Sequence, residues 1–333
     1  MTKLSILDQS PVSAGSTPEM ALKNTVRLAQ EAEKMGYSRF WVSEHHDTRS
    51  LAGSSPEVLI SYLAASTEKI RVGSGGVMLP HYSSYKVAEN FRILEALAPG
   101  RIDLGIGRAP GGMPNATRAL QDGNPKDIRR YPEQIDDLLS YLHDQLPENH
   151  PYEGLSATPI LSHAPELWML GSSGSSAQLA AEKGLSFTFA HFINGYDGPA
   201  AVRFYRNNFK PSAFNEKPNV IVAIFVVCAE TQEEAEELAS SIDLSILSIE
   251  KGMRTEGIPS VETAKNYPYS AYDWSRIREN RQRIIVGTPQ KVKETVTRLQ
   301  ELYGADEFMM VSLMHDMDAK IKSYELLAKE FQL

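Results

Sequence analysis

Residues 39–46 read RFWVSEHH: three apolar side chains, Phe40, Trp41 and Val42, stop abruptly at a carboxylate and two imidazoles, Glu44, His45 and His46. A short run of aromatic and β-branched residues suits a strand buried on both faces, and such strands belong to parallel sheets. Past the C-terminal end of a parallel strand, side chains leave the core and face the loops, where α/β folds keep their chemistry. The stretch therefore predicts a buried strand and places a candidate site directly after it.

Seven more runs of this kind lie along the chain. They are LSILD (4–8), IRVGSGGVML (70–79), IDLGIG (102–107), ELWMLGS (166–172), SFTFA (186–190), VIVAIFVVC (220–228) and EFMMVS (307–312). Helical patterns separate them. Thr17 is placed to cap the first, Pro18 and Glu19 suit its first turn, and Gly36 suits its end. Leu22, Val26, Ala29 and Ala32 form a stripe able to cover a sheet. Further helices are expected at 56–67, 84–98, 132–145, 174–184, 198–210, 231–250, 289–303 and 316–331. Eight strands alternating with helices through right-handed crossovers predict an α/β fold, a (β/α)8 TIM barrel, with a doubly wound open sheet as the alternative.

Two connections exceed simple turns, 108–131 after the fourth strand and 251–284 after the seventh, and loops of that length commonly form lids or binding segments. The expected organisation is a single domain, residues 1–333, with 251–284 as its lid. A third stretch, 146–165, carries four prolines and is expected to form a small hairpin on the rim.

Composition narrows the function classes. The chain has 333 residues, 42% hydrophobic and 23% charged, enough to bury a large core. Its 34 basic against 42 acidic residues give a net charge of -8 with no basic stripe, which disfavours nucleic acid as a partner. No run approaches the roughly 20 apolar residues of a membrane span, and no signal peptide is expected, so the reading is cytoplasmic. The single cysteine, Cys228, lies within an apolar run and reads as a buried strand thiol; no metal site is expected.

Three glycines, Gly73, Gly75 and Gly76, interrupt the 70–79 strand, as expected for a bulge or for a flat ligand approaching the backbone. Gly105 and Gly107 have the spacing of a dinucleotide-binding turn, but Pro110 stands where its third glycine belongs. Arg108, at a strand end, is a donor fork suited to phosphate or to a surface ion pair. In GSSGSS (171–176), amides and hydroxyls precede a helix, either as an anion site or as an ordinary serine cap; Ser173 and Ser176 are the hydroxyls singled out.

Five segments in one order, VSEHH, GSGGVMLP, PGRIDLGIGRAPG, GSSGSSAQLAAEKG and VGTPQKVKETVTRLQ, resemble the bacterial luciferase-like, flavin-dependent monooxygenases. The resemblance spans residues 4–331 and is greatest to the functionally unassigned, non-luminescent branch; light-emitting members carry cysteine where this chain has Gly107. It implies a (β/α)8 barrel whose mouth holds FMN, supplied in reduced form by a separate reductase. It also implies roles by position. His45 would be the histidine beside the flavin, acting as acid/base or as hydrogen-bond donor to its peroxide, and Glu44 a carboxylate at the flavin edge. The Gly75–Gly76 bond would be a non-proline cis peptide under the ring. Arg108, Ser173 and Ser176, with Gly171 and the amide of Ser172, would hold the phosphate, and His191 would approach the ring.

On that resemblance the expected partners are O2, a small-molecule substrate, a transient flavin reductase and a second copy of the chain. Met113, Tyr267, Tyr269, Tyr272 and Trp274, with His81 and Tyr82, suggest largely apolar pocket walls suited to an aldehyde, ketone, alkane derivative or organosulfur compound. Leu59, Leu63, Val87, Phe91 and Leu94 suggest apolar helix surface for a homodimer. His46 reads as structural. Three alternatives stay open: a deazaflavin-dependent hydride-transfer enzyme, a non-catalytic FMN-binding protein, and an unrelated phosphate-handling barrel using Asp8 and Glu44.

Overall fold

The apolar runs close into a ring. The computed structural model describes residues 2–109 and 111–333; Pro110 lies outside them. Among the described residues the strands are β1 (Lys3–Asp8), β2 (Arg39–Val42), β3 (Arg71–Ser74), β4 (Val77–Met78), β5 (Ile102–Gly107), β6 (Glu166–Gly171), β7 (Ser186–Ala190), β8 (Val220–Cys228), β9 (Ile284–Gly287) and β10 (Glu307–Val311). Pairing runs β1-β2-β3-β5-β6-β7-β8-β10 and back to β1, parallel throughout. That closed circuit is a (β/α)8 barrel and excludes the open sheet.

The strand expected at 70–79 is split. It breaks at a cis peptide between Gly75 and Gly76, and β4 then pairs with the C-terminal half of β5. A strand was missed as well. Residues 284–287, of which the sequence reading gives Ile284 to the end of the 251–284 loop and the rest to no element, form β9 on β8. Phe225 pairs with both Val311 and Ile284, so β10 and β9 occupy opposite edges of β8, and β9 takes the edge on which β7 pairs lower down.

The helices are α1 (Pro18–Met35), α2 (Pro56–Ser66), α3 (Ser84–Leu97), α4 (Pro114–Leu120), α5 (Tyr131–Leu142), α6 (Gly174–Lys183), α7 (Gly198–Asn208), α8 (Gln232–Glu250), α9 (Val261–Lys265), α10 (Ala271–Asn280), α11 (Pro289–Tyr303) and α12 (Met317–Phe331). Thr17 caps α1 through the Met20 amide, and Gly36 ends it at φ 88°, where a side chain would be strained. The face of α1 against the barrel is Ala21, Thr25, Leu28, Ala29 and Ala32. Small residues let the helix approach closely, so Leu22 and Val26, expected in the covering stripe, flank that face and line a groove beside Val58 and Tyr62 of α2, with Val26 still packed against the core. Both long connections are partly helical: 108–131 contains α4, and 251–284 contains α9 and α10, tied to α8 by Lys265–Glu237, Arg276–Glu250 and Arg281–Asp243. The hairpin expected at 146–165 does not form. Its prolines withhold ladder donors, and the buried Arg92 guanidinium gathers the segment by donating to the carbonyls of Ala157 (2.6 Å) and Pro159 (3.2 Å).

Alternation along the strands sorts side chains into two layers. Leu4, Ile6, Phe40 and Val42 pack with the helices, whereas Leu7, Trp41, Trp168, Ile221 and Met309 fill the barrel. Trp41 and Trp168 meet edge to face with centroids 5.7 Å apart. Beneath them, charged residues from strand beginnings form a floor: Arg39 bridges Asp103 (2.9 Å) and Glu307 (3.0 Å), and Arg71 pairs with Asp103 and with Glu166 (2.9 Å). Burial opposes the charge on Arg39, yet Asp103, Glu307 and Glu166 outweigh it and raise its pKa.

Candidate active site

The C-terminal ends of β2 to β6 hold the expected site residues. Glu44 follows β2 and is fully buried. Its Oε1 accepts from the Tyr82 hydroxyl (2.7 Å) and from His46 Nε2 (2.8 Å), and its Oε2 accepts from the Met78 amide (2.9 Å). Three donors pin the carboxylate in place. Burial and the neighbouring Glu44 push the Tyr82 phenol up, keeping it protonated as a donor. Burial, with Glu44 contributing, likewise raises Glu57 on α2. His46, read as structural, is thus a partner of Glu44.

His45 is held at two points: its amide donates to the Gly53 carbonyl (2.8 Å), and its Nδ1 lies 3.0 Å from the Ser43 hydroxyl. Burial, then the nearby His46, lowers its pKa to about 4, so the ring is neutral near pH 7. It lines a cavity of about 510 Å³ with Val12, Pro18, Leu51, Ala52 and Glu256. The segment after β5 folds onto this region, with the His46 amide donating to the Gly111 carbonyl (2.9 Å). A Cβ on Gly112 would lie 2.9 Å from the His46 carbonyl oxygen. The first insertion and the Glu-His-His segment are therefore one unit.

Gly75 and Gly76 sit beside them. The Gly75 amide donates to the Val42 carbonyl (2.8 Å). A Cβ on Gly75 would approach Leu7 at 2.7 Å, and one on Gly76 would reach the Gly105 carbonyl oxygen at 2.7 Å. Close packing against the barrel backbone thus requires glycine at 76, and glycine at 75 leaves the Leu7 side chain in place.

Further round the rim, the ends of β5 and β6 enclose a cavity of about 160 Å³ lined by Arg108, Arg129, Tyr131, Leu170, Ser175 and Ser176. Ser173 is the N-cap of α6, but its hydroxyl bonds those of Ser175 (2.9 Å) and Ser176 (3.0 Å) and makes no cap bond. The leading amides of α6 lack a side-chain cap, a suitable setting for an anion. Ser176 lies over Gly171, where a Cβ would collide with it, and the Ser172 carbonyl accepts from Asn194 (3.1 Å). Tyr131 supplies an independent sign of a ligand: it is 4% exposed, and its hydroxyl has no hydrogen-bond partner. An orphaned donor beside two guanidiniums and two serines fits a phosphate dianion. Sequence reading found Arg108 and Ser176; Arg129 and Tyr131 were missed because they stand at the far end of the insertion from the motifs, and Ser175, within GSSGSS, was passed over for Ser173 and Ser176.

The other expected residues are placed as follows. His191 faces α11: its Nδ1 is 2.8 Å from the Tyr303 hydroxyl, and burial, then Arg283, lowers its pKa to about 4. Tyr82 joins the Glu44 network, while His81 is buried beside Gln121. Tyr269 packs at a tilt against both Tyr267 and Trp274, with centroids 4.8 and 4.6 Å apart, and Tyr272 is 70% exposed. Of the helix residues offered for a dimer, Leu63, Val87, Phe91 and Leu94 are buried within this chain, which overturns that argument; the exposed apolar side chains are Val58, Tyr62, Ile93 and Leu97. Cys228 is buried, and its thiol is pushed up to about 12 by burial.

The profile of the family described as luciferase-like monooxygenase matches residues 2–306. The chain is 56% identical to "Uncharacterized protein YwcH" of Bacillus subtilis (strain 168) over 331 residues, covering 99% of each. It is 44% identical to the N-acetyl-S-alkylcysteine monooxygenase of the same organism, covering 98% of each. Among solved structures, apo-MsnO8 superposes with a TM-score of 0.90 at 37% identity, over 100% of this chain and 99% of that one. The fold is shared more widely, as with the oxygenating constituent of 3,6-diketocamphane monooxygenase in complex with FMN, at TM-score 0.74 and 21% identity. The chain belongs to the luciferase-like monooxygenases.

Proposed function

We propose that the protein is an FMN-dependent monooxygenase that uses reduced FMN and O2 to oxidise a small, largely apolar organic substrate. The observation that carries this reading is the cavity at the ends of β5 and β6, where the orphaned Tyr131 hydroxyl joins Arg108 and Ser176 around a space suited to one phosphate. Arg108, Ser173, Ser176, Gly171 and the Ser172 amide hold the phosphate end, and Gly75 and Gly76 provide a floor free of side chains for the ring. Bound reduced FMN supplies two electrons to O2, so that one oxygen atom enters the substrate and the other leaves as water. His45 and Glu44 belong to the protein's share of the work. Glu44, pinned by three donors, fixes the wall next to the ring, and neutral His45 presents its ring to the reacting oxygen. His191, engaged by Tyr303, supports that wall from the helix layer. The segment 251–284 closes over the mouth and excludes water.

A separate reductase delivers the reduced cofactor, and the chain works in the cytoplasm as a homodimer whose contact uses Val58 and Tyr62 of α2. Among the substrate classes that suit an apolar pocket, an organosulfur compound is favoured by the 44%-identical N-acetyl-S-alkylcysteine monooxygenase. The test is O2 uptake with enzymatically reduced FMN and a panel of thioethers, aldehydes and ketones, with the product analysed for one atom from labelled O2. Coupled uptake that His45→Asn abolishes is expected. Hydride transfer to a deazaflavin without O2 consumption refutes the reading, as does FMN binding without turnover of any class.

A further inference from the structure

Ser43 ends the run that begins at Arg39, is 3% exposed, and has His45 Nδ1 as the partner of its hydroxyl at 3.0 Å. No other hydrogen-bond partner of that hydroxyl exists among the described residues. Gly53 closes over it: a Cβ there would lie 3.1 Å from the Ser43 carbonyl oxygen, and the Gly53 carbonyl holds the His45 amide. Because the ring is neutral, it carries a single hydrogen on one of its two nitrogens. If Nδ1 carried it, Nδ1 would donate to Oγ, and the buried hydroxyl hydrogen would have no acceptor. If the hydroxyl donates to Nδ1, the buried hydroxyl hydrogen is satisfied and the ring hydrogen sits on Nε2, on the half-buried ring that lines the cavity. An unsatisfied buried donor disfavours the first arrangement by roughly tenfold or more.

We propose that Ser43 is a positioning residue that locks His45 as the Nε2–H tautomer, so that the nitrogen offered to a ligand donates a hydrogen bond and does not abstract a proton. Nε2 has no partner among the described residues, and the ring lines the cavity at the barrel mouth, so the group it receives is an oxygen acceptor, a carbonyl or an oxyanion. The inference rests on the functional reading above for the identity of that acceptor, but the tautomer itself does not depend on it.

The decisive measurement is nitrogen NMR of histidine-labelled protein near neutral pH, with the His45 signals identified by their loss in His45→Gln. Wild type is expected to show Nε2 protonated and Nδ1 bare. Ser43→Ala should shift the tautomer ratio toward Nδ1–H by about tenfold, and Ser43→Thr, which keeps the hydroxyl, should restore it. The same order should appear in kcat for O2-coupled turnover, with KM for the substrate little changed. Wild-type protein with Nδ1 protonated overturns the proposal, even if Ser43→Ala fails to fold; so does an unchanged ratio in Ser43→Ala. Should the tautomer stand as expected while no substrate is oxygenated, the functional reading fails and the positioning role survives.

Discussion

Tyr131→Phe separates what the anion cavity does for binding from what it costs the fold. The substitution removes one oxygen and keeps the ring, which stays buried between α5 and the barrel. In the protein without ligand that hydroxyl is 4% exposed and unpartnered, a condition that costs about 1–3 kcal/mol. Tyr131→Phe should therefore leave urea stability unchanged or raise it by up to about that amount. Toward FMN the sign reverses. A hydrogen bond to a charged phosphate contributes about 1.5–3 kcal/mol, so affinity should fall about 10- to 150-fold. Riboflavin lacks the phosphate and serves as the internal control, with its affinity expected to be unaltered. Flavin fluorescence titration of both ligands, beside urea melts without ligand, reads all three quantities. An equal loss for riboflavin and FMN, or a less stable variant, would refute the assignment of this cavity to phosphate.

Further outcomes follow from other sites. Arg39→Met removes the cation shared by Asp103, Glu307 and Glu166, leaving Glu307 with only Ser5 among the described residues; urea stability should drop by about 3–5 kcal/mol, and a drop below about 1 kcal/mol would show that the floor does not rely on that charge. His45 and His191 have folded pKa values of about 4 against about 6.5 unfolded, so between those values the unfolded chain binds more protons. The stability they confer is complete above about pH 6.5 and is lost as pH falls toward 4, by at most about 3 kcal/mol each, less what solvent screens at half-buried His45. Urea midpoints across that range should climb with pH, less steeply once both histidines are glutamine; equal slopes would contradict this account. Tyr62→Glu should convert a particle of twice 37.0 kDa in light scattering to one of 37.0 kDa, whereas wild type already at 37.0 kDa excludes the dimer.

The barrel was legible because its strands announce themselves: Phe40, Trp41 and Val42, or the nine buried residues Val220–Cys228, have no solvent face to confuse the pattern. β9 escaped because Ile284, Ile285 and Val286 make a very short run behind an arginine-rich loop, although Thr288 and Pro289 marked the next helix start. The charged floor could have been seen, since Arg39, Arg71, Asp103, Glu166 and Glu307 each stand first or second in a strand, yet single charges at strand starts read as surface. For the dimer face the error was one of helix rotation: Leu63 and Phe91 were expected outward, but the barrel takes the larger stripe and leaves Val58 and Tyr62 outside. At the site, motif residues adjacent in sequence were found. Tyr131 and Ser43 were not, because one acts across an insertion and the other through its neighbour's ring.

The knot of arginines and carboxylates below Trp41 and Trp168 fills one end of the cylinder with paired side chains. Sealing a reactive centre falls to the upper rim, and the chain has spent its spare length there, after β5 and β8. Selection can lengthen, shorten or rewrite those loops for new substrates while the stopper beneath goes untouched.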